Sequence, residues 1–200
     1  MTTIPTGTGN SIDQLLVAVT QGREEEVAEL LRLGADPNGT DASGVQTPLL
    51  NVVKTTHAGI ARRLLAAGAR VDKANVDGVT PLHWAAAKQK KEMARLMLEA
   101  GASVQARERD GWTPLHWAAY RGEKEMIEWF VDTGAAVNLP DKDGWTPLHL
   151  AAQQGHRPAV DCLLDRGADP TLRDLDNRLP IDLARGRGHG DVVEVLQKVN

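Results

Sequence analysis

The residues of this chain best suited to chemistry are three histidines that recur every 33 residues. His83, His116 and His149 hold the same place in three copies of a Thr-Pro-Leu-His-x-Ala-Ala segment. Zinc ligands lie about 2 Å from the metal, so three histidines on one ion must converge. A fixed period in this range predicts one unit stacked on copies of itself, and packed helices lie roughly 8–10 Å apart. The histidines therefore predict a ladder along the stack, and we expect no metal site.

Acidic residues recur with the same period in the turns between these segments. The four positions are Asp77, Asp110, Asp143 and Asp176. Carboxylates that act as an acid/base pair lie about 5–10 Å apart, and a regular row along a stack does not give that pairing. We expect the aspartates to shape turns or to form a solvated acidic edge. Cys162 falls at an apolar position equivalent to Leu96 and Trp129, which predicts a packed small hydrophobe and not a nucleophile.

A glycine-rich segment at residues 186–190 could cradle an anion at a helix N-terminus, with Arg185 and Arg187 assisting. No strand pattern precedes it, and it lacks the Lys-Ser/Thr pair of a phosphate loop. It also occupies the place of an ordinary turn between two helices. None of these residues predicts catalysis, so we expect neither an enzyme nor a bound cofactor.

The repeating unit that must position these residues is clearest at residues 75–107. A turn ends near Gly78, which can take the positive φ of a tight turn. Thr80 is a good N-cap, and Pro81 suits the first position of a short inner helix. A second, outer helix ends at Gly101, as helices often do. Neither helix could bury its apolar face alone, so stacking must supply the core.

These segments resemble the ankyrin repeat, in which Thr-Pro-Leu-His-x-Ala-Ala opens the inner helix and Gly-Ala follows the outer one. The resemblance implies an all-α ankyrin-repeat solenoid of helix-turn-helix repeats with β-turn or hairpin fingers. It also implies that the repeated histidine bonds backbone between neighbouring turns. We expect a flexible N-terminal tail at residues 1–10 and a single array at residues 11–200. The six expected repeats lie approximately at residues 11–40, 41–74, 75–107, 108–140, 141–173 and 174–200.

The second and third repeats depart from this pattern. The joint between the two helices of a repeat is glycine in the last three repeats, at Gly122, Gly155 and Gly188. Thr56 and Gln89 replace it in the second and third repeats. If the joint needs positive φ, each replacement costs about 1 kcal/mol. The second repeat also has Leu50 in place of the histidine, with Val52 and Val53 in place of the alanine pair, so we expect it to open more readily than the others.

The resemblance places a concave groove between the finger tips and the inner helices. Aromatic residues of the fourth and fifth repeats fall on groove positions, and these residue types are enriched at interface hot spots. The candidate partner-binding residues are Arg109, Trp112, Tyr120, Arg121, Lys142, Trp145 and Arg178. They suit a partner with an apolar anchor and acidic neighbours. Tryptophan could instead brace finger against helix, which we favour for Trp84 and Trp117 and leave open for Trp112 and Trp145.

Charge is uneven along the chain. The formal net charge of −4 argues against general nucleic-acid binding. Residues 47–112 carry eleven basic and six acidic groups, a local net charge of +5. Nucleic-acid or anionic-ligand binding through these basic second and third repeats is the alternative function.

The remaining composition bounds the location of the protein. A hydrophobic content of 42% suits a soluble folded chain. One cysteine excludes an intrachain disulfide and suits a reducing compartment. The sequence contains neither a secretory signal nor a run of roughly 20 apolar residues. We expect a cytoplasmic or nuclear monomer with no membrane contact. The expected function is a non-catalytic scaffold or adaptor for another protein, with sequestration or inhibition of that partner left open.

Overall fold

A computed structural model describes residues 11–55 and 57–199, which form twelve α-helices in six consecutive pairs. Within these ranges no strand occurs, so the fingers are turns and the all-α solenoid expectation is confirmed. The expected tail at residues 1–10 and the joint residue Thr56 lie outside the described residues. The helices are α1 (Ser11–Thr20), α2 (Glu24–Arg32), α3 (Pro48–Lys54), α4 (Ala58–Ala66), α5 (Pro81–Ala87), α6 (Lys91–Glu99), α7 (Pro114–Arg121), α8 (Lys124–Asp132), α9 (Pro147–Gln154), α10 (Arg157–Asp165), α11 (Pro180–Arg187) and α12 (Gly190–Val199).

The odd-numbered helices form an inner layer in which each helix packs on the next, and the even-numbered helices form an outer layer. Their buried faces make one continuous core that runs from Ile12 to Leu196. Alanine pairs such as Ala118 and Ala119 are fully buried between neighbouring inner helices. Small side chains let these helices approach closely, so the core is a slab that grows with each repeat.

Three inner helices, α5, α7 and α9, begin with a reciprocal cap between a threonine and a histidine. Thr113 precedes Pro114, its hydroxyl accepts from the backbone N–H of His116, and its own backbone N–H donates to Nδ1 of His116 at 3.2 Å. Such a capping box satisfies two amide donors that a helix start would otherwise leave unpaired. Thr80 and Thr146 form the same arrangement. The local sequence therefore determines where these three inner helices start.

Where the structure describes the residue at the joint between an inner and an outer helix, that residue adopts the left-handed conformation. Gly122, Gly155 and Gly188 have φ values of 72°, 74° and 78°. Gln89 takes φ 53° at the equivalent position of the third repeat. The joint therefore needs positive φ even where its residue has a side chain, which confirms the expectation. Helix α5 is correspondingly one residue shorter than α7.

The finger turns are joined to one another along the array. The backbone N–H of Arg109 donates to the carbonyl of Asp77 at 2.8 Å, and that of Lys142 donates to the carbonyl of Asp110 at 3.0 Å. Leu175 makes the equivalent bond to Asp143 at 2.9 Å. The repeated aspartates therefore lie at the tips of a continuous row of fingers.

Candidate functional site

Three buried histidines each tie their repeat to the finger of the next. Nε2 of His83 donates to the Trp112 carbonyl at 3.0 Å, and Nε2 of His116 donates to the Trp145 carbonyl at 3.2 Å. His149 does the same to Arg178 at 3.3 Å. Because Nδ1 accepts a backbone N–H, the proton lies on Nε2 and the rings are neutral. Burial lowers the pKa of His83 and His116 to about 4 and lowers that of His149 as well. We call these contacts the buried-histidine bonds.

A second set of histidines, which the sequence analysis missed, lies at the joints. Nε2 of His156 donates to the Tyr120 carbonyl at 3.1 Å, and Nε2 of His189 donates to the Gln153 carbonyl at 3.0 Å. Each contact holds the last turn of the preceding inner helix, and we call them the joint-histidine bonds. In the sequence, each of these histidines directly follows a joint glycine, and this pattern could have predicted them.

Trp112 connects the finger turn of the fourth repeat to the finger turn of the fifth repeat, which we call the fourth and fifth fingers. Its indole N–H donates to Oδ2 of Asp141 at 2.8 Å, and its ring lies 5.3 Å from the ring of Tyr120. Burial raises the pKa of Asp141, although hydrogen bonds from the backbone of Trp145 and Asp143 and from the Trp112 indole oppose this. Trp112 is half-buried, whereas Tyr120 is 37% exposed. The indole therefore braces two fingers, and beside it the tyrosine faces solvent.

Trp145 is covered by a cation from the sixth finger. The guanidinium of Arg178 lies 5.6 Å from the centre of the Trp145 ring. The same guanidinium pairs with Asp174 and Asp176 at 2.8 Å each. Burial alone would raise the pKa of Asp174, but hydrogen bonds from Arg178 outweigh it and lower that pKa overall. Arg178 therefore acts first as a link between two fingers.

The other predicted cations divide into one paired residue and two unpaired ones. Arg109 pairs with Asp77 at 2.9 Å and also donates to the Val76 carbonyl at 3.0 Å. Arg121 and Lys142 are exposed, and among the described residues neither has an ion-pair partner. The charge available to a partner beside the aromatic residues therefore comes chiefly from Arg121 and Lys142.

Trp84 and Trp117 pack against each other on the inner helices. Their ring centroids lie 5.7 Å apart in an edge-on arrangement, and Nζ of Lys54 lies 5.0 Å from the centre of the Trp84 ring. Burial lowers the pKa of Lys54. Nε1 of Trp117 is buried with no hydrogen-bond partner among the described residues. Both indoles fill space between repeats, in keeping with the bracing interpretation.

An open concavity of about 550 Å³ lies between the third, fourth and fifth fingers. It is lined by Val76, Asp77, Gly78, Arg107, Glu108, Arg109, Gly111 and Lys142. Val76 is 56% exposed and supplies the apolar part of a wall that otherwise carries both signs of charge. The concavity can therefore accept a polar segment of a partner, but its electrostatic potential is neither uniformly positive nor uniformly negative.

Three arginines on the outer helices of the basic second and third repeats are paired within the chain. Arg62 pairs with Glu92 at 3.4 Å, and Arg63 pairs with Glu24 at 2.8 Å. Arg95 lies 3.4 Å from Glu99. These exposed pairs contribute little stability, but they reduce the positive field that the local net charge suggests.

Comparison with known proteins places these features in a family. The family model described as ankyrin repeats matches residues 15–108 and 103–174, which together cover most of the chain. A search of curated proteins found no match. In the part of the chain that the structure describes, none of the helices has the length and apolar character needed to cross a membrane.

Proposed function

We propose the function of this chain from one premise, which is that it belongs to the ankyrin repeat family. Ankyrin repeats are generally protein–protein interaction modules and generally lack catalysis. The proposed function is a non-catalytic scaffold or adaptor that holds another protein in the concave face, where it could also sequester or inhibit that protein. We further propose a monomer that works in the cytoplasm or nucleus, which the single, buried cysteine supports.

The contact surface in this proposal is the aromatic patch, which we define as Trp112, Tyr120 and Trp145 with the neighbouring cations Arg121 and Lys142. The observation that carries it is the contact between exposed Tyr120 and Trp112, whose indole is fixed by Asp141. A rigid aromatic anchor loses little conformational entropy when a partner binds.

Arg109 and Arg178 enter the proposal in a supporting role. Arg109 is held by Asp77, and Arg178 is held by two aspartates while it covers Trp145. Both side chains are therefore ordered before a partner arrives, and they fix the finger positions on either side of the aromatic patch. The partner that fits has an apolar anchor for Tyr120 and acidic groups for Arg121 and Lys142.

The pairing of Arg62, Arg63 and Arg95 with carboxylates weighs against the alternative function. A nucleic-acid site requires cations that can neutralise successive phosphates along a continuous stripe. The second and third repeats do not present such a stripe on their outer helices.

The experiment that tests the proposed function is affinity capture from source-cell lysate with a Tyr120→Ala/Lys142→Ala variant. Both side chains are exposed, so we expect the variant to fold. The matched control is Leu33→Ala, which removes a 61% exposed apolar side chain after α2. We expect a protein that the wild type and the control retain and that the variant loses by roughly tenfold or more. Equal capture by all three chains would contradict the aromatic patch as the contact surface.

A further inference from the structure

Four cations without an ion-pair partner lie together where the third and fourth repeats turn from inner to outer helix. They are Lys88, Lys90, Lys91 and Arg121, and we call them the joint cluster. Lys88 directly follows α5, and Arg121 ends α7 at the equivalent place one repeat later. Helices α5 and α7 pack on each other, and neighbouring inner helices lie roughly 8–10 Å apart, so the helix ends that carry Lys88 and Arg121 are neighbours in the stack. Of the four residues, only Lys90 is half-buried.

Three members of the joint cluster fall within residues 88–91. The other cations of the region that have no ion-pair partner among the described residues are scattered along the sequence, at Lys54, Arg70, Lys73 and Arg107. In the described chain, Arg62, Arg63, Arg95 and Arg109 are each held by a carboxylate. The nearest acidic side chain along the joint is Glu123, which accepts a hydrogen bond from the Gln89 amide across the two repeats. Burial raises the pKa of Glu123, and the charge of Arg121 opposes that effect. The charge of Glu125 also raises the pKa of Glu123, so this second carboxylate lies near the joint. Glu92 follows Lys91 but is paired with Arg62. The four cations therefore outnumber Glu123 and Glu125, which leaves a local positive field.

The floor of the groove that leads to this cluster has no opposing charge. The inner helices α3, α5, α7 and α9 contain neither aspartate nor glutamate. Arg121 belongs both to the aromatic patch and to the joint cluster, so the two surfaces meet at the end of α7. The other acidic residues of these repeats lie on the outer helices and joints, such as Glu92 and Glu123, and on the finger tips, such as Asp110.

We propose that the joint cluster binds an acidic segment of the partner whose apolar anchor occupies the aromatic patch. This inference rests on the proposed function and adds the chemistry of the ligand, a polypeptide stretch rich in aspartate and glutamate. Four cations in two repeats match a short run of carboxylates. A nucleic acid fits less well, because its phosphates continue in both directions and would meet the aspartates of the fingers.

The test measures the affinity of a labelled peptide that carries one phenylalanine followed by a run of glutamates. A second peptide has glutamine in place of each glutamate, and a single-stranded oligodeoxynucleotide of equal charge serves as the third probe. The joint-cluster variant is Lys88→Gln/Lys90→Gln/Lys91→Gln. The control is Arg62→Gln/Arg63→Gln/Arg95→Gln, which removes the same charge from paired positions. Fluorescence anisotropy gives each dissociation constant, and thermal melts check the fold of both variants.

We expect the joint-cluster variant to bind the glutamate peptide about tenfold more weakly than the wild type, and the control to stay within about twofold. The glutamine peptide should bind weakly to all three chains. Equal loss in both variants would show that only net charge matters and would overturn the inference. Tighter binding of the oligonucleotide than of the glutamate peptide would overturn it in favour of nucleic acid.

A Tyr120→Ala chain separates this inference from the proposed function. We expect it to lose affinity for the glutamate peptide as well, because the phenylalanine anchor loses its contact. If Tyr120→Ala binds the peptide as the wild type does while the joint-cluster variant does not, the aromatic patch is contradicted and the acidic-segment site remains. The reverse result would contradict the joint cluster and leave the proposed function intact.

Discussion

The contact between the second and third repeats and the contact between the fourth and fifth are built from the same helices but carry different polar links. Between the fourth and fifth repeats, His116 bonds the Trp145 carbonyl and His156 bonds the Tyr120 carbonyl. Between the second and third, Leu50 stands in place of the buried histidine and Lys90 in place of the joint histidine. Both pairs of repeats retain apolar stacking between their helices. Comparing their stabilities therefore shows how much the two histidine bonds contribute.

The comparison also explains where the joint glycines occur. A side chain added at Gly122 would place its Cβ 2.6 Å from the His156 ring, and one at Gly155 would lie 2.5 Å from the His189 ring. Gln89 is followed one repeat later by Glu123, which leaves room for a side chain. At Gly122 and Gly155, glycine is needed both for the positive φ and to leave space for the histidine ring of the next repeat. Where the next repeat lacks that histidine, only the positive φ favours glycine.

The largest expected effect comes from acid. His83 and His116 have pKa values of about 4 when folded, below the ordinary value of 6.5. The unfolded chain therefore binds more protons between these values, so stability is complete above about pH 6.5 and falls as the pH drops toward 4. Each ring contributes roughly 3 kcal/mol to this loss. Urea unfolding followed by circular dichroism at several pH values measures this change in the free energy of unfolding.

A His116→Leu chain, which copies the second repeat, is the control variant. Its free energy of unfolding should depend less on pH, and an unchanged dependence would contradict the role of the buried-histidine bonds.

The next effect concerns the joint glycine. We expect Gly122→Ala to lower the free energy of unfolding by about 2 kcal/mol or more, because positive φ and the clash with His156 add. Gly134→Ala is the matched control, since Gly134 has φ 97° and open space around its Cβ. It should cost only about 1 kcal/mol. Adding His156→Glu to Gly122→Ala reproduces the contact at Gln89 and should recover part of the difference, because it relieves the clash but also removes the bond to the Tyr120 carbonyl. Equal costs for the two single variants would rule out the clash.

A smaller gain is expected in the third repeat. Gln89→Gly relieves the positive φ of 53° and should stabilise the chain by about 1 kcal/mol. The variant also removes the amide contact with Glu123, which is exposed and adds little. Chemical unfolding of this single variant measures the gain. A loss of stability would mean that the Glu123 contact outweighs the backbone strain.

The smallest expected difference is one of local opening in the free chain. Helix α3 lacks both histidine bonds to the third repeat, so its amides should exchange hydrogen faster than those of α7 and α9. Hydrogen exchange read by mass spectrometry should show protection lower by roughly threefold in α3. Uniform protection across these inner helices would indicate that apolar stacking alone sets their stability.

The repeated features could be predicted from the sequence because each depends on local rules. The threonine caps, the helix-ending glycines and the positive φ at Gln89 follow from neighbours within one repeat. The bond from the Trp112 indole to Asp141 and the covering of Trp145 by Arg178 were not predicted. These contacts join residues about one repeat apart, and they depend on which of several rotamers reaches across the stack.

The sequence also could not predict which cations lack an ion-pair partner. Composition gives eleven basic and six acidic groups in residues 47–112, but not which of them meet. The structure pairs Arg62, Arg63, Arg95 and Arg109, and in its described part it leaves the joint cluster without a partner. A net charge counted along the chain therefore overstates the field on the outer helices and hides its concentration at one edge.

The most direct test of the account is hydrogen exchange of the chain in complex with the partner that it captures. We predict new protection in the fourth and fifth fingers, at residues 108–112 and 141–145, and at the end of α7 around Tyr120. The outer helices α2 and α4 should exchange as they do in the free chain. Protection confined to those outer helices, with the fourth and fifth fingers unchanged, would contradict the claim that the braced aromatic patch is the binding surface.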